Sequence, residues 1–354
     1  MGADRDEVLR ALERVIDPEL RKPVTELDMV RDVVIDDADV SVTIALTVAG
    51  CPLRNSFQDQ VAEHVGGLPS VARVELHFDV MTPDEKAALT TKLRGGRPEK
   101  SISLDPATRV IAVASGKGGV GKSSLTVNLA AALDRMGQQV GVIDADVYGH
   151  SIPHMLGVHQ RPIVVDRMIV PPVRGRIKLI SIGNFLDDNA PVMWRGPMLH
   201  RALEQFLSDV HWGELDTVVV DMPPGTGDMA ISLGQLLPHA EVLVVTTPQP
   251  LAQEVAARAA MMAQKTGQRL LGVVENMTGE AFGHGGGAKL AEELGVPLLG
   301  TVPLDVALRE AGDAGTPVVE SDPDAESSQA IVALAEAVAA TRQAAIRKPL
   351  TVLS

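Results

Sequence analysis

The chain has 354 residues, a length that suggests about two domains. Its formal net charge of −14 argues against tight, non-specific binding to nucleic acid, and its single cysteine excludes a disulfide within one chain. Hydrophobic residues make up 45% of the chain but aromatic residues only 2%, so a core must consist mainly of aliphatic side chains.

Residues 1–6 contain no apolar signal-peptide core. No apolar run in the sequence approaches the roughly 18 residues of a membrane helix. We therefore expect a cytoplasmic protein with neither nucleic acid nor a membrane as a partner.

Residues 1–93 are predicted to form a small α+β domain with the order helix, strand, strand, helix, strand, helix. Thr82, Pro83 and Glu85 favour a helix start, because they supply a capping hydroxyl, a first-turn proline and a carboxylate three residues on. The other segments are an apolar helical pattern at 8–16, strands at 30–35, 40–48 and 71–78, and a helix at 54–65.

The polar segment 94–108 has two glycines, two prolines and no apolar period, which indicates a linker. From residue 109 onward, short apolar runs alternate with helical stretches, a pattern typical of strands buried on both faces of a parallel sheet. Residues 109–345 are therefore predicted to form a doubly wound, mostly parallel α/β domain, with a tail at 346–354. The runs lie at 110–114, 140–143, 177–182, 218–220, 242–245, 270–274 and 298–299, and Leu125, Leu129, Leu133 and Met136 form one helical stripe.

Residues 116–123 match the phosphate-loop pattern G-x-x-x-x-G-K-[ST] between a predicted strand and a predicted helix. The glycines allow backbone N–H groups to point at phosphate oxygens, and the helix adds its positive dipole end. Lys122 is expected to reach the β- and γ-phosphates, and the Ser123 hydroxyl to bind Mg²⁺. The predicted nucleotide contacts in this loop are Gly116, Lys117, Gly118, Gly119, Val120, Gly121, Lys122, Ser123 and Ser124.

Lys117 is a second lysine in this loop, and an ordinary phosphate loop does not need it. One interpretation is a solvated surface charge. The loop also resembles that of the deviant Walker A ATPases, in which the equivalent lysine reaches the partner's nucleotide. That resemblance implies a homodimer with two ATP molecules at its interface.

Three carboxylates are predicted at the ends of strands beside this loop. Asp221 follows an apolar strand and is placed to hold Mg²⁺ through water. Asp144 and Asp146 end another strand, and one of them is placed to orient the attacking water. Resemblance to the same ATPases favours Asp146 for that role; Asp144 is assigned to the metal site, with a helix cap or turn as the alternative. The glycine-rich segment 223–228 is either a loop that senses the γ-phosphate or a rigid turn.

Two positions are candidates for contact with the base. Asn276 ends a predicted strand, and Pro248 lies just past another. Resemblance to the same ATPase group implies base contacts there, and a plain loop is the alternative.

Nearly the whole chain resembles the Mrp/ApbC family of iron–sulfur cluster carrier ATPases. The resemblance implies Mg-dependent ATP hydrolysis, a bound iron–sulfur cluster and its transfer to apoprotein partners. The segment from 17–19 through 50–52 looks like the small N-terminal domain often fused to these ATPases, which also occurs in other iron–sulfur assembly factors. The stretches that carry the resemblance of the larger domain are 115–124, 144–149, 194–198, 221–228, 275–277 and 282–287.

The sequence departs from this family where a Cys-x-x-Cys pair usually follows segment 275–277. Residues 278–283 contain no cysteine, and the segment looks shortened. A four-iron cluster normally takes four thiolates, whereas a dimer of this chain has two, both from Cys51. The standard bridging site therefore cannot form.

Cys51 itself is either a cluster ligand, alone or with histidines, or a small apolar residue at a turn. His284 lies in a glycine-rich loop, and the simplest interpretation is that its side chain is solvated. His150, His154 and His159 are an unfavoured metal set, because Pro153 and Gly157 interrupt any shared helix.

Three other functions compete with a cluster carrier. A MinD- or ParA-like dimer switch shares the two-lysine loop, but it needs a membrane helix or a DNA-binding surface. An ATP-gated adaptor without its own cluster remains open. A reductase like the nitrogenase iron protein is discarded, because it needs two cluster cysteines per subunit.

Overall fold

The computed structural model describes residues 3–48, 53–94, 102–146, 149, 151–185, 196–225 and 227–346. Its helices are α1 (Arg5–Leu12), α2 (Arg54–His64), α3 (Pro83–Arg94), α4 (Lys122–Arg135), α5 (Ile152–Met155), α6 (Gly196–Ser208), α7 (Asp228–Leu236), α8 (Pro250–Lys265), α9 (Gly286–Leu294), α10 (Val306–Asp313), α11 (Val318–Ser321) and α12 (Glu326–Ile346). Its strands are β1 (Val30–Asp36), β2 (Asp39–Leu46), β3 (Arg73–Val80), β4 (Arg109–Ser115), β5 (Val140–Asp144), β6 (Ile163–Val165), β7 (Met168–Val170), β8 (Val173–Arg174), β9 (Ile177–Ser181), β10 (Thr217–Asp221), β11 (Glu241–Thr246), β12 (Arg269–Thr278) and β13 (Leu298–Pro303).

Two compact units divide the chain. The first consists of the residues up to 103 together with segments 160–172 and 208–213, and the second consists of the remainder. The sequence did not indicate that these two later segments belong to the first unit, because the apolar pattern in each is too short to assign it to a domain. The domain boundaries proposed from sequence stay a prediction.

The first unit contains a three-stranded sheet in the order β1-β2-β3. Strands β1 and β2 form an antiparallel hairpin, and β3 runs parallel to β2. Helix α3 begins as predicted: Glu85 N donates to Thr82 Oγ1 at 3.3 Å, and Thr82 N donates to Glu85 Oε2 at 2.6 Å. The core includes Phe57 of α2 and takes in the β6–β7 hairpin.

The extension of the first helix to residue 16 was wrong. Helix α1 ends at Leu12, and Val15 and Ile16 belong to the following loop. The cause is tertiary: the Gln60 side chain accepts from Ile16 N at 2.8 Å and donates to Ile16 O at 3.0 Å. These bonds hold the loop in an extended form that a helix cannot adopt.

The second unit is built on an eight-stranded sheet in the order β13-β12-β11-β4-β10-β5-β9-β8. All neighbours run parallel except β8, which is antiparallel to β9. Helices cover both faces: α4 and α12 pack on one, α7 and α8 on the other. The predicted doubly wound α/β fold is confirmed, with the carboxyl ends of β4, β5 and β10 side by side.

One residue of the predicted stripe on α4 lies outside the core. Met136 is 45% exposed because the helix ends at Arg135, whereas Leu125, Leu129 and Leu133 are buried. Within the described part of the chain, no helix combines the length and the apolar character needed to cross a membrane.

Replacing Phe57 by alanine is expected to destabilise the first unit. Its ring has no solvent exposure, so truncation leaves a cavity in the core that costs about 3–5 kcal/mol. Val34→Ala is the control, because Val34 is 53% exposed in the same unit and its loss should cost less than about 0.5 kcal/mol. Chemical denaturation measures both, and equal effects of the two substitutions would contradict the assigned core.

Candidate nucleotide-binding site

The predicted phosphate loop connects β4 to α4. Gly119 and Gly121 have φ angles of +77° and +79°, which favour glycine. A Cβ on Gly121 would lie 2.2 Å from Asn276 Nδ2, and one on Gly116 would lie 2.1 Å from the carbonyl carbon of Val255. The glycines are therefore required both by the turn and by close packing, and the loop leads directly into the N-terminus of a 14-residue helix.

Lys122, Ser123 and Asp221 converge beneath this loop. Lys122 Nζ lies 2.7 Å from Asp221 Oδ2, and the Ser123 hydroxyl donates to the same oxygen at 2.7 Å. The other carboxylate oxygen lies 2.7 Å from Thr126 Oγ1. Asp221 is fully buried at the end of β10, so each of its oxygens has a partner from α4.

Thr126 was not among the residues singled out from the sequence. Its position in the sequence could have indicated this contact, because it lies one turn beyond Lys122 on α4 and so faces the same end of β10. Its hydroxyl is also 3.0 Å from Lys122 O.

Asp144 and Asp146 both lie at this edge of the sheet, in different surroundings. Asp144 Oδ2 accepts from the Ser181 hydroxyl at 2.8 Å, and Oδ1 accepts from Asp146 N at 3.3 Å. Burial, followed by the nearby negative charge of Asp221, raises the pKa of Asp144 to about 8. A protonated carboxyl is a poor metal ligand, so Asp144 must lose its proton before it can bind Mg²⁺. Asp146 Oδ2 instead lies 3.5 Å from Lys122 Nζ.

Asn276 lies near the end of β12, and Pro248 lies two residues past the end of β11. Asn276 Nδ2 donates to Val120 O at 2.8 Å, which ties the end of β12 to the phosphate loop. Pro248 is buried, and its carbonyl oxygen accepts from Gln253 Nε2 at 2.7 Å. The structure thus brings one of the two predicted base contacts into direct contact with the loop.

Several polar atoms at this sheet edge are buried and have no hydrogen-bond partner within the described part of the chain. Buried polar atoms are normally paired, so a polar ligand at this edge fits the residues present. Thr247 and Gln249 were not predicted as site residues from the sequence. Their position just after an apolar strand could have indicated that they lie at this edge of the sheet. The atoms are Asp146 Oδ1, Thr247 Oγ1, Gln249 Oε1 and Asn276 Oδ1.

The segment after β10 lies against the phosphate loop. Gly225 N donates to Ser115 O at 2.8 Å, and a Cβ on Gly118 would lie 4.0 Å from Pro224 Cγ. Lys117 is exposed, as either interpretation of it requires.

The segment after Asn276 closes in a short turn. Gly279 and Gly283 each donate a backbone hydrogen bond to the other, at 3.2 and 2.7 Å. Glu275, which is fully buried, then accepts from Gly285 N and Gly287 N at 2.8 and 2.7 Å and fixes the start of α9. Sequence reasoning quoted Glu275 only as part of a motif and assigned it no such contact.

The remaining candidates for metal or cluster binding can be placed only where they fall within the described residues. Cys51 and His150 lie outside the described residues. His154 is exposed and contacts Asp313 O at 3.1 Å, and His159 and His284 are exposed. No group of three or more potential metal ligands occurs among the residues that the structure describes.

The raised pKa of Asp144 predicts a pH-dependent loss of stability without nucleotide and metal. The unfolded chain releases this proton near pH 3.8, but the folded protein retains it to about pH 8, so the free energy of unfolding falls as pH rises between these values. Between pH 5 and pH 8 the wild type should therefore lose stability relative to Asp144→Asn, whose amide does not titrate. Urea denaturation in EDTA measures the free energy of unfolding of both proteins. A constant difference would contradict the assignment.

Comparison with known proteins matches both parts of the chain. The ParA family model, described as NUBPL iron-transfer P-loop NTPase, matches residues 107–339, and a model described as iron–sulfur cluster assembly protein matches residues 5–76. An iron–sulfur cluster carrier protein of Mycobacterium leprae is 49% identical over 95% of this chain and 93% of its own length. Another of that name, from Synechocystis, is 42% identical over 94% of this chain and 96% of its own length.

Two solved structures share the fold of the second unit. A nucleotide-binding protein from Archaeoglobus fulgidus in complex with ADP is 36% identical, with a TM-score of 0.53 over 61% of this chain and 89% of that chain. The septum site-determining protein MinD from Pyrococcus horikoshii, complexed with Mg-ADP, is 26% identical, with a TM-score of 0.52 over 68% of this chain and 98% of that chain. The chain belongs to the NUBPL iron-transfer P-loop NTPase family and carries an N-terminal iron–sulfur cluster assembly domain.

Proposed function

We propose that this protein hydrolyses ATP with Mg²⁺ and uses that reaction in binding iron–sulfur clusters and transferring them to apoproteins. The observation that carries the ATPase part is the convergence of Lys122, Ser123 and Asp221 under the phosphate loop. The cargo part is supported by the family and by relatives named iron–sulfur cluster carrier proteins.

Lys122 is proposed to bind the β- and γ-phosphates, since its ammonium group lies beneath the loop beside Ser123 and Asp221. Ser123 and Asp221 are proposed to hold Mg²⁺, the serine directly and the carboxylate through water. Asp144 stays a predicted third group, subject to the loss of its proton. Mg²⁺ supplies charge neutralisation at the phosphates when it is bound.

Asp146 is proposed to orient the water that attacks the γ-phosphorus. Its Oδ1 is buried without a hydrogen-bond partner within the described ranges and can accept a hydrogen bond from water. Attack forms the new P–O bond as the bond to the β–γ bridging oxygen breaks. Asn276 and Pro248 are proposed to contact the base.

Lys117 is proposed to act across a homodimer. Its exposed side chain can meet a second copy, whereas Lys122 is buried with its own carboxylates. Whether the cluster is held through Cys51, and whether the protein is cytoplasmic, stay predictions from the sequence.

Alanine substitutions of the two lysines are expected to impair different steps, ATP binding for Lys122 and turnover for Lys117. Lys122→Ala should weaken ATP binding by roughly 10- to 100-fold, because it removes charge-assisted hydrogen bonds to phosphate. Lys117→Ala should leave ATP binding intact and lower turnover by roughly a thousandfold, as loss of a charge supplied in trans does. Calorimetry measures binding, phosphate release measures turnover, and Lys265→Ala, an exposed lysine at the end of α8, is the matched control. Loss of ATP binding in Lys117→Ala would contradict the split between the two roles.

The cargo prediction concerns iron and sulfide bound after anaerobic reconstitution. The wild-type protein should retain both in stoichiometric amounts, and Cys51→Ala should retain neither, because the chain has no other cysteine. Lys122→Ala should retain the cluster, since it alters only the nucleotide site. Equal amounts of iron and sulfide in wild type and Cys51→Ala would contradict direct ligation of a cluster by Cys51. The protein would then be an assembly partner that holds no cluster through this thiol.

A further inference from the structure

A cavity of about 190 Å³ lies in the second unit, on the face of the sheet covered by α7 and α8. Helix α4, which follows the phosphate loop, packs on the opposite face. The cavity therefore lies across the sheet from α4, although part of its lining, the segment after β10, also lies against the phosphate loop.

Small side chains make up part of the lining of this cavity. Ala112 and Ala114 of β4 form its floor, and Ala259 and Ala263 of α8 form one wall. Protein interiors are normally filled to crystal-like density, so four alanines in one lining leave room that larger side chains would occupy.

Gln268 supplies a polar group to this otherwise mainly apolar lining. Its side chain is only 5% exposed. One end of the amide, Oε1, lies 3.2 Å from Thr266 Oγ1, whereas Nε2 has no hydrogen-bond partner in the described part of the chain. The amide fits in two orientations related by half a turn, so its free end is a donor in one and an acceptor in the other. Leaving it unpaired costs free energy in either orientation.

We propose that this cavity binds a small apolar molecule carrying one hydroxyl group. A hydroxyl both donates and accepts, so it can pair with the free end of the Gln268 amide in either orientation. Apolar cavities of roughly 150 Å³ accommodate benzene, so this one has room for a ring with one substituent. Phenol has both the size and the hydrogen-bonding group that the lining requires.

Occupancy of this cavity also bears on the nucleotide site. Met222, Pro223 and Pro224 form part of the wall and directly follow Asp221. Gly225, also in the lining, is bonded to Ser115 at the start of the phosphate loop. A ligand that packs against this segment contacts the residues that connect Asp221 to the phosphate loop, and so alters ATP turnover. This coupling rests on the proposed ATPase activity, whereas binding to the cavity does not.

Calorimetric titration of the full-length protein with phenol, and with benzene for comparison, tests the binding. Wild type should bind both saturably. Gln268→Leu should weaken phenol binding by roughly three- to tenfold, the value of one neutral hydrogen bond, and leave benzene binding unchanged. Ala263→Leu fills the cavity and should abolish binding of both, with Ala259→Met as a second filling variant should the first fail to fold. No saturable phenol binding by wild type, or undiminished binding by a folded filling variant, overturns the proposal.

Phosphate release with and without saturating phenol tests the coupling. Turnover should change in wild type and not in the filling variant. Unchanged turnover of the wild type with phenol bound overturns the proposed coupling to ATP turnover, but it does not overturn the proposed binding of phenol in the cavity. An absence of ATPase activity in wild type counts against the proposed function, and the calorimetric result still decides the cavity.

Discussion

The buried ion pair between Lys122 and Asp221 is the interaction on which the rest of the site depends. Two charges removed from water are tolerated only when their remaining hydrogen-bonding capacity is also met. Ser123 and Thr126 meet it on the carboxylate, and both come from the first two turns of the helix that begins at the lysine. The end of β10 therefore fixes how α4 begins, and with it the path of the phosphate loop.

A second set of contacts joins the two ends of the candidate site. Asn276 at the end of β12 binds the backbone of Val120, and its amide lies where a Cβ on Gly121 would be. The neighbouring Glu275 accepts from two backbone amides at the start of α9. Side chains at the end of β12 are thus hydrogen-bonded to the backbone of the phosphate loop and of the start of α9. Glycines at 121 and 287 fit this arrangement, because a Cβ at either position would lie within 2.5 Å of the Asn276 or Glu275 side chain.

The sequence predicted the elements that repeat a simple pattern. Apolar strands buried on both faces, and a glycine loop between strand and helix, require only local spacing to identify, so the doubly wound sheet and the surroundings of Lys122 followed from them. The hydrogen bonds of Thr126 and Glu275 did not, because each depends on a partner brought close only by the tertiary fold. The early end of α1 has the same origin, since Gln60 is 44 residues away from the loop it holds. The raised pKa of Asp144 likewise requires knowing that Asp221 ends a neighbouring strand.

Asp221 contacts both the lysine and the serine, and it is the group proposed to join them to Mg²⁺. Titration of ATP into wild type and Asp221→Asn, each with Mg²⁺ and with EDTA, tests that claim most directly. Wild type should bind ATP more tightly when Mg²⁺ is present, and the variant should lose that gain, a change of roughly 10- to 100-fold for an outer ligand of a metal. The same gain from Mg²⁺ in both proteins would contradict the account.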